Sequence, residues 1–174
     1  QSFTQISMTP KTIGAFTDFT RRTLLQSSID IEGFVRDDIA KKIALELDRT
    51  AIYGTGSSNQ PLGLKDTSGI GSQSLTSFGT FSEYIGMETD VAVANAEGCS
   101  MKYLINASAR GALKSTEKAS NTGMFVFENN QINGYDAIVS NQLANNDAIF
   151  GDFSQFIVGM WSGLDLTVDP YAGA

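Results

Sequence analysis

Histidine is absent from this 174-residue chain. Its absence removes the commonest general base and the commonest transition-metal ligand. It also excludes a Ser-His or Cys-His nucleophile. A Ser with a Lys base stays formally open, but no spacing points to one. Cysteine occurs once, as Cys99, so no disulfide closes within the chain. Basic residues are few: 12 Lys and Arg face 19 Asp and Glu, for a net charge of −7 and a pI near 4.5. Such a surface repels nucleic acid and has no excess of cations to displace counterions from phosphates. No apolar run approaches the ~18 residues of a membrane span, and nothing at the start reads as a signal peptide. The chain opens on Gln1 rather than Met, so a fragment or a processed product is expected.

What is present reads as globular: 41% of residues are hydrophobic and 18% charged. The length suits one sizeable domain or two small ones sharing a core. The most informative stretch is Ile29 to Gly63, IDIEGFVRDDIAKKIALELDRTAIYGTGSSNQPLG. Ile31, Val35, Ile39, Ile43, Leu47 and Ala51 fall four apart, with Phe34 and Ile52 beside them, which predicts an apolar helical face. Asp30 is placed to be the N-cap, and Glu32 sits in the first turn, where the dipole favours an acid. Gly54 is placed to end the helix. From Asp30 to Tyr53 such a helix is about 36 Å long, well beyond the usual three turns or so.

The rest of the chain alternates shorter elements. Phe3 to Met8 reads as a strand, Ile13 to Phe16 as a second extended piece, and Thr20 as the cap of a short helix, RRTLLQ. Gly54 to Ser77 is a long polar connector of the kind that is usually functional or mobile. Ser82 is expected to cap a helix that stops at Gly98. Met101 to Ile105 reads as a strand, and Asn106 as the cap of a helix over residues 107–114. Residues 115–122 read as a loop, and Asn133-Gly134 is a hairpin turn signal. Strands are predicted at Tyr135 to Ser140, Ala148 to Phe150, Gln155 to Met160 and Leu164 to Val168. This order is α+β rather than a repeating βαβ pattern, and there is no internal repeat.

Chemistry is hard to find. Gly54-Thr55-Gly56-Ser57 follows a helix and lacks the Lys-Ser/Thr of a phosphate loop, so it reads as a helix stop and a turn. Asp37 and Asp38 point about 100° apart on a helix and read, like Glu46 and Asp48, as a solvated face. Asp152 stands alone and reads as a turn residue. Cys99 is expected in the core, and Trp161 either in the core or as an interface anchor. Phe125, Phe127, Phe150, Phe153 and Phe156 are expected to fill a core, since too few cations flank them for a nucleic-acid groove. No catalytic, cofactor-binding or metal-binding residue is assigned, and no cofactor.

The order and spacing of several motifs resemble the major capsid proteins of tailed bacteriophages and prophages with the HK97 fold. Thr12 to Leu64 looks like the family's approach to its spine helix: acidic Asp48, then Gly54-Thr55-Gly56 and Pro61-Leu62-Gly63. Ile132 to Gly159, INGYDAIVSNQLANNDAIFGDFSQFIVG, looks like the family's stretch ending in Gly-Asp-Phe-Ser, with Asp136 in place of its usual proline. The resemblance implies an HK97-like α+β fold with a long spine helix over about 30–53 and two domains. Residues 1–66 would belong to the peripheral (P) domain. Residues 67–174 would be mostly the axial (A) domain, a mixed sheet with helices, with family segments missing at both ends. It further implies a structural subunit rather than an enzyme, one that self-assembles into pentamers and hexamers of an icosahedral shell around double-stranded DNA. Scaffold, prohead protease and portal are implied partners. No specific nucleic-acid binding and no membrane are expected. The location implied is the virion, after assembly in the host cytoplasm. Assembly contacts are expected from Ile31, Val35, Ile39, Ile43, Leu47, Gly54, Gly56, Pro61 and Gly63. Two other readings stand beside this one: an encapsulin-like nanocompartment shell with the same fold, and, from another class, a small hydrolase with a Ser or carboxylate site.

Overall fold

The computed structural model describes residues 7–18, 20, 22, 31–163, 165 and 167. The chain divides into two compact units, Gln1–Asp66 with Val158–Ala174, and Thr67–Ile157. The segment from Val158 onward therefore groups with the first unit, not with the residues just before it.

The first unit is built on helix α1, Ile31–Tyr53. Asp30 lies outside the described residues. The expected apolar face needs correction. A strict four-residue step turns about 400° on a helix with 3.6 residues per turn, so a row of such steps drifts about 40° each time. Ile39, Thr50 and Ile52 are buried and Ile31, Val35, Ile43, Ala51 and Tyr53 half-buried, whereas Leu47 is 37% and Phe34 70% exposed. Thr50 tolerates burial because its hydroxyl donates to the carbonyls of Glu46 (2.9 Å) and Leu47 (3.0 Å). On the solvent side Lys42 pairs with Asp38 at 2.9 Å, as the solvated-face reading of that carboxylate has it.

The second unit is a mixed five-stranded sheet with two helices. Its elements are α2 (Phe81–Val93), β1 (Met101–Ile105), α3 (Ala107–Leu113), β2 (Phe127–Glu128), β3 (Gln131–Ile132), β4 (Tyr135–Val139) and β5 (Ala148–Asp152). The strand order is β2-β3-β4-β1-β5. The interior strand β1, fourth in that order, runs parallel to β4 and antiparallel to β5. A parallel neighbour demands a crossover, and α3 lies within it. Alternation along β1 buries Tyr103 and Ile105, which join Tyr84, Leu113, Val126 and Ile132 in the core.

Local chemistry sets the boundaries. The helix α2 begins at Thr80 rather than Ser82, because the Glu83 carboxylate reaches back to the Thr80 N–H (2.6 Å) and the Thr76 hydroxyl (2.7 Å). It ends at Val93, well short of Gly98, where Asn95 takes a left-handed φ of 53°. Asn106 caps α3 by accepting the Ser108 N–H at 2.8 Å. Asn133 (φ 51°) and Gly134 (φ 90°) both adopt the positive φ that a two-residue hairpin turn requires; that turn joins β3 to β4. No strand forms over Gln155 to Met160. The Asp152 carboxylate accepts the Ser154 N–H (2.9 Å) and hydroxyl (2.6 Å), and the chain turns through a 3-10 helix at Phe153–Gln155. Residues 13–16 carry no regular structure, and Cys99 is exposed rather than in the core. Of the expected Phe3 to Met8 strand, only Ser7 and Met8 are described, without regular structure. The RRTLLQ helix and the Leu164 to Val168 strand fall largely outside the described residues.

The core tyrosines make a pH prediction. Burial, then the Glu83 charge, pushes the Tyr84 hydroxyl up to about 12. Burial, then the hydrogen bond to Glu88, pushes the Tyr103 hydroxyl up as well. A folded-state pKa above the unfolded value near 10 favours the protonated form in the fold. Stability from Tyr84 is therefore fully present below about pH 10 and is lost as pH rises toward about 12, a loss on the order of 3 kcal/mol. Urea unfolding at a series of alkaline pH values is expected to show this decline, and Tyr84→Phe to reduce it while the Tyr103 share remains.

Candidate assembly surfaces

Helix α1 ends in a clasp. The last carbonyls of any helix lack partners within it. Here Thr50 O accepts from the Gly54 N–H (2.8 Å), Ala51 O from Leu64 (3.0 Å) and Ile52 O from Lys65 (3.0 Å). Between these points the chain makes a narrow loop. The Gly63 N–H donates to Gly54 O (2.6 Å), the Gly56 N–H to Pro61 O (3.1 Å), and Thr55 bridges Leu62. Ser58 and Asn59 turn its tip with positive φ. Gly54 and Gly63 lie side by side and buried. A Cβ on Gly63 would meet the Gly54 nitrogen and the Ile52 carbonyl; one on Gly54 would meet the Pro61 and Thr50 carbonyls. The Lys65 ammonium rests over the Tyr53 ring, 5.2 Å from its centroid.

Of the nine residues at which assembly contacts were expected, Gly54, Gly56, Pro61 and Gly63 come together in this clasp. Ile39 is buried in α1; Ile31, Val35 and Ile43 are half-buried; Leu47 faces solvent. Sequence reasoning missed a larger apolar feature. Phe156, Ile157, Val158, Met160 and Trp161 are between 42% and 75% exposed. Isolated exposed apolar side chains are ordinary, but five within six consecutive residues are not. The signal was in FIVGMW itself, whose apolar run reads equally as a strand. Trp161 is thus not a core residue: it is 59% exposed. Phe16, at 92%, is another exposed aromatic of the first unit.

Among the described residues no three His, Cys, Asp or Glu side chains gather as metal ligands would. An open cleft of about 180 Å³ is lined by Glu97, Gly98, Cys99, Met101 and Tyr135, smaller than ordinary small-molecule sites of some 300–1,000 Å³. No described helix is long and apolar enough to cross a membrane.

The phage capsid family profile matches residues 1–174. The major capsid protein of Halomonas phage phiHAP-1 is 39% identical over 167 residues, which is 96% of this chain and 28% of that protein. Two solved structures share the fold. The capsid of the native GTA particle, computed with C5 symmetry, superposes with a TM-score of 0.56 at 21% identity, over 76% of this chain and 52% of that one. The empty GTA particle's capsid gives 0.54 at 22% identity with the same coverage. The chain thus spans under a third of the phage relative's length and about half of the matched capsid chains. Its α+β architecture is the HK97-like fold of capsid proteins, and the chain belongs to the phage capsid family.

Proposed function

We propose that this chain is part of the major capsid subunit of a tailed phage or prophage, a structural protein without catalytic activity. It associates with copies of itself into pentamers and hexamers of an icosahedral shell, and its working location is the virion. The observation that carries this reading is the family match along the whole chain, together with 39% identity to a phage major capsid protein. The run of exposed apolar residues over 156–161 supports it, because closed symmetric assembly needs repeated interfaces. In this reading residues 1–66 are the P-domain portion with α1 as spine helix, and the sheet of residues 67–157 belongs to the A domain. Assembly in the host cytoplasm, with scaffold, prohead protease and portal, goes with the same role. A net charge of −7 suits a container that encloses DNA without gripping it.

Electron microscopy of the longer parent product, expressed alone and with its neighbouring genes, tests the proposal. Uniform shells or hexamer rings are expected, with DNA in particles from a packaging-competent host. Shells filled with enzyme would point instead to a nanocompartment, and a monomer under every condition would remove the shell reading.

A further inference from the structure

Glu88 on α2 uses both carboxylate oxygens to fasten the sheet. Its Oε1 accepts the Tyr103 hydroxyl at 2.6 Å, from β1, and its Oε2 accepts the side-chain amide of Asn133 at 2.8 Å, from the β3–β4 turn. The turn residues Asn133 and Gly134 are exposed, and theirs is the only Asn-Gly pair in the chain. Asn-Gly is the dipeptide in which the following backbone nitrogen is least hindered, because glycine has no side chain. We propose that Asn133-Gly134 is a site of spontaneous deamidation, and that Glu88 converts this modification into a loosening of the sheet.

The Gly134 backbone nitrogen attacks the Asn133 side-chain carbonyl carbon, and the bond from that carbon to the amide nitrogen breaks. The amide leaves as ammonia, taking the proton from the Gly134 N–H, and a cyclic imide remains. Water then opens the ring at either carbonyl. Opening at the side-chain carbonyl gives aspartate; opening at the main-chain carbonyl gives isoaspartate. Net, one water enters and one ammonia departs, with no oxidant or reductant.

Each product disturbs the lock in its own way. Aspartate tolerates the turn conformation, so the backbone stays, but a donor becomes a second carboxylate against Glu88. Isoaspartate also inserts an extra backbone carbon into a two-residue turn. That shifts the pairing of Ile132 with Tyr135, and Ile132 is fully buried.

The test has two arms, both on the soluble parent subunit. Incubation at mildly alkaline pH and 37 °C, followed by peptide mass analysis and isoaspartyl methyltransferase labelling, is expected to place deamidation at Asn133 ahead of every other asparagine. No conversion at Asn133 while an unstructured INGYD peptide converts completely would overturn the site. For the readout, Asn133→Asp is expected to lower the folding equilibrium constant about five- to tenfold. Glu88→Gln in that background is expected to recover most of the loss, since the new amide can donate to the new carboxylate. Equal destabilisation by Asn133→Asp in the parent and in the Glu88→Gln background would show that Glu88 does not sense the change. The fold of Glu88→Gln alone is checked by near-UV circular dichroism.

Discussion

Gly63→Ala is expected to unfasten the end of helix α1 and to cost about 3–5 kcal/mol. The cost is steric rather than conformational, since Gly63 does not occupy the left-handed region. Its new Cβ would lie 2.6 Å from the Ile52 carbonyl oxygen and press on the Gly54 nitrogen. These are backbone atoms with nowhere to rotate, so the two chain segments must part. Overpacking of this kind costs about 1–3 kcal/mol. Parting them also endangers the bonds from Gly63, Leu64 and Lys65 to the carbonyls of Gly54, Ala51 and Ile52, each worth about 1 kcal/mol net. Gly54→Ala should behave alike. Gly111→Ala is the contrasting case. It lies within α3, meets no atom within 4 Å, and is expected to gain about 0.5–1 kcal/mol by removing a helical glycine. Urea unfolding measures all three, and limited proteolysis should find residues 54–64 newly cleavable in Gly63→Ala. A Gly63→Ala protein as stable as its parent would mean that the clasp is not closed in solution.

The second large effect is expected at Tyr103. Its ring is fully buried and meets Tyr84 edge-on with centroids 5.5 Å apart, Phe150 at 4.4 Å and Tyr135 at 6.4 Å. Its hydroxyl donates to Glu88 and sits 3.1 Å from the Tyr84 carbonyl. Tyr103→Ala opens a cavity at the middle of β1 and is expected to cost about 3–5 kcal/mol, with loss of the near-UV dichroism of the aromatic cluster. Tyr103→Phe keeps the ring and loses only the hydroxyl, at about 1.5 kcal/mol, the low end for a bond to a charged acceptor that is itself half-exposed. The separation between the two variants is the measurement. If they destabilise equally, the polar tether rather than the aromatic packing holds α2 to the sheet.

Signals that act over a few residues were readable in advance. Gly54 ends α1, Asn106 caps α3 and Asn133-Gly134 turns a hairpin, because each acts on backbone groups within about four positions of itself. The Gly-x-Gly and Pro-x-Gly spacing also marked the clasp, although only the folded chain shows why glycine is needed. There the two glycine backbones lie against each other, and that contact is not local in sequence. The face of α1 was misjudged at Leu47 and Phe34, because four-residue steps precess around a helix, whereas Ile39 and Ile52 are buried on it as expected. The start of α2 was missed because Glu83 reaches backward to Thr80 and Thr76. Gln155 to Met160 has the composition of a strand but pairs with nothing among the described residues. An apolar run becomes a strand only when a neighbour supplies the ladder, and Asp152 turns the chain before one is reached.

The pairing of β1 also has a consequence for synthesis on the ribosome. Lys102 waits for Asp136, and Met101 for Asp152, before β1 has both neighbours. The hairpin of β3 and β4 joins residues only a few positions apart, whereas β5 follows β4 in the chain and covers the other flank of β1. Until then the nascent chain leaves one flank of β1 unpaired, an open strand edge that a second copy of the chain can take instead of β5.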